Sequence, residues 1–297
     1  MPLNRSFLFA PGNVPRRVEK ALSLEADVVI LDLEDSVAPS DKPAARKAIA
    51  EALTRPRGPR GYVRVNAAST PYCYADLVET VHKGVEGVVL PKVESAAELH
   101  AVDWLLTNLE RERGIAVGSI DLMPQLETAA GVQRIERIVQ AGSLRTYKSQ
   151  PWRVKRVAFG AGDYANDIGL SVSMDEPELA EARSRIVMIS RAAGLENPVD
   201  SPWFHLREAE GFRRALERSR RGGYQGRLCI HPDQLAPVNA AYVPSAEEVA
   251  QAARIVAAFK EAEAKGAAAI VVDGQMIDYP IVHRAQAILD AMRELKR

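Results

Sequence analysis

The sequence predicts an α/β chain in which strand and helix alternate, and three observations carry that prediction. Eight short apolar or β-branched runs recur along the chain. Stretches with apolar positions at helical spacing separate them. Runs such as Val28-Val29-Ile30-Leu31 and Val88-Val89-Leu90 are apolar throughout rather than alternating, as parallel strands covered on both faces must be. Eight βα units in about 240 residues is the count of a TIM (β/α)8 barrel. The prediction is therefore a barrel over residues 4–243 and a C-terminal helical and hairpin flap over residues 244–297.

In order, the strands are expected at Ser6–Ala10, Asp27–Leu33, Tyr62–Asn66, Gly87–Val93, Asp121–Glu127, Arg156–Gly162, a weaker Pro198–Trp203, and Arg227–His231. Helical periodicity falls at Val14–Ser23, Lys42–Leu53, Ala96–Leu109, Gly131–Ala141, Glu176–Ala193 and Leu206–Arg221. Beyond the eighth strand come a short helix and a longer one at Glu247–Lys265. Ala268–Met276 follows with Asp273-Gly274 at its centre, and Asp-Gly between apolar runs is a hairpin signal. An amphipathic helix over Pro280–Leu295 closes the chain.

Composition narrows the function. Apolar residues make up 47% of the chain and charged residues 26%, which is ordinary for a globular protein. The 39 basic residues cancel the 39 acidic ones, and 6 Phe, 8 Tyr and 3 Trp offer little for base stacking, so a nucleic-acid partner is not expected. Cys73 and Cys229 lie far apart with no CxxC spacing, which fits a reducing compartment, the cytoplasm, and argues against a disulfide framework or zinc site. With no long apolar window and no readable leader, neither membrane nor signal peptide is expected.

In a TIM barrel the chemistry sits at the C-terminal ends of the strands. Strand two ends in Asp32-Leu33-Glu34-Asp35, strand three in Arg64-Val65-Asn66, strand four in Lys92-Val93-Glu94, strand five in Gln125-Leu126-Glu127 and strand six in Gly162-Asp163. Carboxylates and cations thus converge on one mouth. Like charges so placed repel unless a hard cation holds two of them and Arg or Lys neutralises others. Mg²⁺ is the expected ion, because no Cys or His stands at these strand ends.

Here a resemblance becomes specific. Arg5-Ser6-Phe7-Leu8-Phe9-Ala10-Pro11-Gly12-Asn13, with Pro15-Arg16 and Glu19-Lys20-Ala21, leads to Leu31-Asp32-Leu33-Glu34-Asp35-Ser36-Val37. Then come Arg64-Val65-Asn66, Leu90-Pro91-Lys92-Val93-Glu94, Glu127-Thr128, Gly160-Ala161-Gly162-Asp163-Tyr164, Ile230-His231-Pro232 and Gly274-Gln275-Met276-Ile277-Asp278-Tyr279-Pro280. In this order, almost end to end, the chain resembles the citrate lyase β-subunit and malyl-CoA lyase family of the HpcH/HpaI aldolase superfamily. The resemblance implies a Mg²⁺-dependent lyase that cleaves, or in reverse forms, the C–C bond of a β-hydroxyacyl thioester such as malyl-CoA or citramalyl-CoA, with acetyl-CoA and a 2-oxo acid as fragments. It implies Glu127 and Asp163 as metal ligands, Arg64 as catalytic arginine and Asp278 as the acid/base on the flap. It also implies a homotrimer or hexamer in which the flap reaches a neighbouring subunit. A CoA thioester needs cations near the first loop, and Arg16, Lys20 and Lys42 are placed for that. Two alternatives stand beside this reading: a citrate lyase β-subunit working on an acyl-carrier thioester, and a non-catalytic CoA or acyl-carrier binding subunit. The opening segment and the complete flap motif resemble more closely the lyases that act alone on free CoA esters.

Plainer roles compete at several positions. Asp32, Glu34 and Asp35 read equally as supports around the metal and as caps or partners of Lys42 and Arg46. Lys92 reads as either a substrate contact or a partner of the carboxylates. Glu94 is expected to cap its helix with Ser95, Asp167 to be a helix N-terminal charge, and His231 to make a positioning hydrogen bond. Gly160-Ala161-Gly162-Asp163-Tyr164-Ala165 satisfies the dinucleotide pattern G-x-G-x-x-A. It sits sixth in the alternation, however, with Asp163 where pyrophosphate would approach. The basic stretch with Arg145, Lys148, Arg153, Lys155 and Arg156 joins a helix to the next strand, so a subunit contact or solvated loop is expected there.

Overall fold

The computed structural model describes residues 4–141 and 152–295. Eight parallel strands close into a barrel in the order β1 to β8, with β1 paired to both β2 and β8. The first half runs β1 (Ser6–Pro11), α1 (Pro15–Leu22), β2 (Val28–Asp32), α2 (Lys42–Leu53), β3 (Arg60–Arg64), α3 (Cys73–Thr80), β4 (Gly87–Leu90) and α4 (Ala96–Glu112). The second runs β5 (Asp121–Leu126), α5 (Ala129–Gln133), α6 (Ile135–Val139), β6 (Ala158–Phe159), α7 (Ala161–Ile168), α8 (Ala180–Ala192), β7 (Val199–Asp200), α9 (Ala209–Arg221), β8 (Gly226–Cys229) and α10 (Leu235–Ala241).

Every expected strand is found in its place, most of them shorter than the apolar run that announced it. Each of the eight contributes to one interior cluster: Phe7, Val28, Ile30, Tyr62, Val89, Met123, Ala158, Val199 and Leu228, all essentially inaccessible. Burying such side chains is the main driving force for closure, at roughly 1.5–3 kcal/mol each. Helix α2 matches its expected span. Pro at its first turn pre-sets the backbone, and Ala45, Ile49, Ala52 and Leu53 supply the buried face. Helix α4 starts in a capping box in which Ser95 accepts from Glu98 and Glu98 accepts from Ser95. Glu94 is thus not the cap; its own backbone N–H also donates to Glu98. The stretch expected as one helix over Gly131–Ala141 is broken at Arg134, where φ −95° and ψ 9° leave the α region.

At the N-terminal end of the barrel, Asp121 opens β5 and gathers Arg60 of β3 and two basic residues of the stretch that leads into β6. Tyr62 Oη donates to it, and Arg60, Lys155 and Arg156 pair with it at 3.1, 2.6 and 3.4 Å. Arg153 is buried against Asp103 and Glu110. The expectation of a solvated loop or subunit contact is therefore wrong for Arg153 and Arg156, whose charges are spent inside the fold. Arg145 and Lys148 lie outside the described residues.

The chain divides into two compact units, one covering Asn4–Asn239 and the other the residues from Ala240 on, against an expected boundary at residue 243. In the second unit α11 (Ala246–Glu263) is followed by β9 (Ile270–Val272), β10 (Gln275–Ile277) and α12 (Tyr279–Leu295). Ala252, Ile255, Phe259, Ile277 and Ala285 form its core. The hairpin turns at Asp273 and Gly274 with φ of 50° and 78°, the positive values a type I′ turn requires at both central positions. Among the described residues, no helix is long and apolar enough to cross a membrane.

The Asp121 cluster makes a stability prediction. Asp121→Ala leaves the buried Arg156 guanidinium and Tyr62 hydroxyl short of a partner and is expected to cost about 3–5 kcal/mol, read as a lower urea midpoint at unchanged m-value.

Candidate active site

The C-terminal mouth of the barrel is built outward from Arg64, the last residue of β3. Its Nε and Nη2 donate to the two carboxylate oxygens of Asp32 at 2.6 and 2.8 Å, and Nη1 lies 3.0 Å from Glu34. The face of Phe9 lies 4.6 Å from the guanidinium carbon. Register explains the bidentate pair, since Asp32 and Arg64 are direct partners across β2 and β3. Asp32 also accepts from the backbone of Glu34 and Ser36 and from the Ser36 hydroxyl. Burial alone would raise its pKa, yet the Arg64 charge and these hydrogen bonds bring it below the usual range. Glu34 also accepts from Lys92. Its pKa is raised, because its burial outweighs both cations.

Glu127 stands just past β5 and is inaccessible to solvent. The backbone N–H of Lys92 donates to its Oε1 at 2.8 Å, and the Gln125 amide donates to Oε2. Lys92 sits at φ 51°, a left-handed backbone that costs a non-glycine residue about 1–2 kcal/mol. Gly160, just past β6, must be glycine: a Cβ there would meet Glu127 Oε2 at 2.4 Å and Gln125 Nε2 at 3.0 Å. Burial first, then the charges of Glu34 and Asp163, push the Glu127 carboxyl up to about 8. Asp163, in the first turn of α7, lines a cavity of about 340 Å³ together with Arg17, Asp32, Asp35, Ser36, Arg64 and Gln125. Phe9, Pro11, Pro202, Phe204 and Ile230 give that cavity an apolar side.

The mouth therefore brings together Asp32, Glu34, Asp35, Arg64, Lys92, Glu127 and Asp163. It does not bring in Lys42, which is buried with its ammonium held by Leu33 O, Glu34 O and Asn66 Oδ1. Those acceptors occupy its three donors, so Lys42 ties down the loop after β2 and is not available to a cofactor. Asp32, Glu34 and Asp35 pair with Arg64 and Lys92, not with Lys42 or Arg46; Arg46 instead holds Asp76 and Glu79. Arg16 and Lys20 lie exposed on α1. Arg17 beside them faces the cavity, a side chain that sequence alone did not single out. Asp167 accepts from the backbone of Ala129, capping α5 rather than its own helix. His231 Nδ1 accepts from the Asp233 backbone and caps the short turn at Pro232–Gln234. Asp278 belongs to the second unit, between β10 and α12, where its carbonyl starts the last helix by accepting from Ile281 and Val282.

Residues 5–232 match the HpcH/HpaI aldolase/citrate lyase family. The chain belongs to that family. It is 36% identical to the citrate lyase subunit beta of Leuconostoc mesenteroides subsp. cremoris over 289 residues, covering 97% of this chain and 92% of the relative. It is equally 36% identical to the L-malyl-CoA/beta-methylmalyl-CoA lyase of Rhodobacter capsulatus over 310 residues, covering 97% and 94%. A crystal structure of CitE from Mycobacterium tuberculosis, in complex with magnesium, acetoacetate and coenzyme A, matches with a TM-score of 0.77 at 31% identity, covering 97% of this chain and 98% of that one. The chain is thus a member of an oxo-acid lyase family, and the dinucleotide-fold reading of Gly160–Ala165 is excluded by the closed barrel.

The raised Glu127 pKa fixes the sign of a pH effect in this lyase. Between its ordinary value of 4.5 and about 8, the metal-free folded state keeps a proton that the unfolded chain has released. Stability is therefore lost as pH rises through that window. In metal-free buffer, Glu127→Gln is expected to lose less stability than wild type between pH 5 and pH 8.5, by on the order of a few kcal/mol, measured by chemical denaturation.

Proposed function

We propose that this chain is a Mg²⁺-dependent carbon–carbon lyase that reversibly cleaves a β-hydroxyacyl-CoA, such as malyl-CoA or citramalyl-CoA, to acetyl-CoA and a 2-oxo acid. The carrying observation is that Asp163 and a buried, fixed guanidinium line one cavity, with the carboxyl group of Glu127 buried close enough to feel the charge of Asp163. Among the described residues, no three His, Cys, Asp or Glu side chains converge as a metal cage. Two carboxylates suit an ion that keeps several waters and takes oxygens from its substrate. Glu127 and Asp163 would hold Mg²⁺, which supplies Lewis-acid polarisation of the ketone and charge neutralisation.

The chain's own groups do the rest. Arg64 uses two of its five N–H donors on Asp32 and stands at ion-pair distance from Glu34, leaving donors for the enolate oxygen of the acetyl thioester. These contacts hold its pKa well above the ordinary arginine value, so it keeps its charge throughout. An oriented donor of this kind stabilises charge that develops in the transition state. Asp278 is assigned the α-carbon proton, delivered in cleavage and removed in condensation. Arg16, Arg17 and Lys20 on α1 are assigned the anionic groups of the CoA ester.

A panel of malyl-CoA, citramalyl-CoA and citryl-CoA, assayed for glyoxylate, pyruvate or oxaloacetate, tests this reading. Turnover of a free CoA ester that stops with EDTA and returns with Mg²⁺ is expected. Activity confined to a carrier-bound citryl thioester would instead favour a citrate lyase β-subunit, and no turnover on any thioester would overturn the lyase reading. Asp278→Asn is expected to keep Mg²⁺ and 2-oxo acid binding while lowering kcat by roughly 10² or more. Partial recovery on mixing Asp278→Asn with Glu127→Ala chains would show that Asp278 serves a neighbouring subunit's barrel.

A further inference from the structure

One polar atom at the mouth has a purpose that the lyase reading leaves unassigned. Gln125 lies two residues before Glu127 and is 4% exposed. Its amide nitrogen is committed to Glu127 Oε2. Its amide oxygen is buried and accepts no hydrogen bond among the described residues. The side chain lines the cavity alongside Arg64 and Asp163. The orientation follows from the hydrogen bond: the NH₂ end donates to Glu127, which leaves the oxygen facing away from that carboxyl group. Packing locks the arrangement, because the absent Cβ of Gly160 is what leaves room for both groups. A buried acceptor without a donor costs about 1–3 kcal/mol, and buried polar groups in native proteins are satisfied by protein, water or ligand.

We infer that Gln125 is a specificity-determining residue whose amide oxygen accepts the hydrogen bond of the substrate's hydroxyl group, so that the site distinguishes a 2-hydroxy acid moiety from the corresponding 2-oxo acid. This rests on the lyase reading. The substrate carries –OH on the carbon bearing the carboxylate, whereas the 2-oxo acid has a carbonyl there and no proton to donate. Gln125 therefore favours the cleavable thioester over its oxo-acid product. The other O–H donor that could reach a metal site is a metal-bound water, and the experiment separates the two.

The test is calorimetric binding to the Mg²⁺-loaded protein of two matched pairs, lactate against pyruvate and L-malate against oxaloacetate, in wild type, Gln125→Met and Gln125→Glu. Met keeps the length and removes the acceptor, and its hydroxy-acid to oxo-acid affinity ratio is expected to fall about tenfold, the scale of one hydrogen bond. Glu restores an acceptor while repelling both acids of a pair alike, so its ratio is expected to return towards wild type. A structural role would weaken both acids equally and leave the ratio unmoved, which overturns the inference. An unchanged ratio with weakened Mg²⁺ binding in Gln125→Met assigns the oxygen to a metal-bound water and overturns it too. If Gln125→Met fails to fold, the Gln125→Glu ratio decides: a wild-type value supports the inference, and a tenfold fall overturns it. Wild-type protein that binds neither acid of either pair, and turns over no thioester, overturns the lyase reading itself.

Discussion

The mouth of the barrel depends on one guanidinium. Asp32 and Glu34 are almost wholly buried, and carboxylates so placed are tolerable only with a counter-ion at hydrogen-bond distance. Arg64 supplies it to both at once, from a neighbouring strand and in direct register with Asp32. The same contacts consume the freedom of the arginine. Its plane is set by Asp32 on one edge and by the ring of Phe9 against its face, so its remaining donors have a fixed direction before any substrate arrives. Stability and preorganisation are here one arrangement.

The two ends of the barrel resolve their charges in different ways. At the N-terminal end a single acid, Asp121, meets Arg60, Lys155 and Arg156, and the surplus positive charge is taken up by Glu86 and Glu196. That end is closed electrostatically. At the C-terminal end Asp32, Glu34, Asp35, Glu127 and Asp163 face Arg64, Lys92 and Arg17, and burial together with that shortfall raises the pKa of Glu127. A shortfall of positive charge at a cavity is the condition under which binding a cation is favourable, so the local charge balance and the family's reaction agree.

Much of this was legible in the sequence, because strands covered on both faces write themselves as uninterrupted apolar runs and a barrel repeats them eight times. The hairpin was equally plain, since few pairs other than Asp-Gly tolerate two positive φ values in succession. That the charged side chains at the strand ends would gather at one mouth was readable too, because a barrel brings those ends together. What escaped was whatever depends on a third dimension. Helix α3 has a short, mixed pattern, and α7 begins within a glycine-rich stretch that reads as the end of a strand. Lys42 read as a cation for the CoA thioester, because a sequence does not show that Leu33, Glu34 and Asn66 turn three oxygens towards it. Arg16 and Arg17 are adjacent and identical in chemistry; only the rotation of α1, set by burial of Val18 and Ala21, decides which faces the cavity. Gln125 carried no signal beyond its parity with Glu127 on one strand.

The bond from the Lys92 backbone to Glu127 has a consequence for how this site can drift. The donor is main chain, so it is the property of a position and not of a residue type: nineteen of the twenty amino acids would deliver the same N–H. Proline alone lacks it, and its ring demands φ near −65°, whereas the chain here runs at 51°. Half of the grip on Glu127 is thus insulated from point substitution and exposed instead to insertions and deletions, which would shift the register at the end of β4. Divergence within such a site is expected to proceed through side chains like Gln125, while the length of the segment between β4 and α4 stays constant.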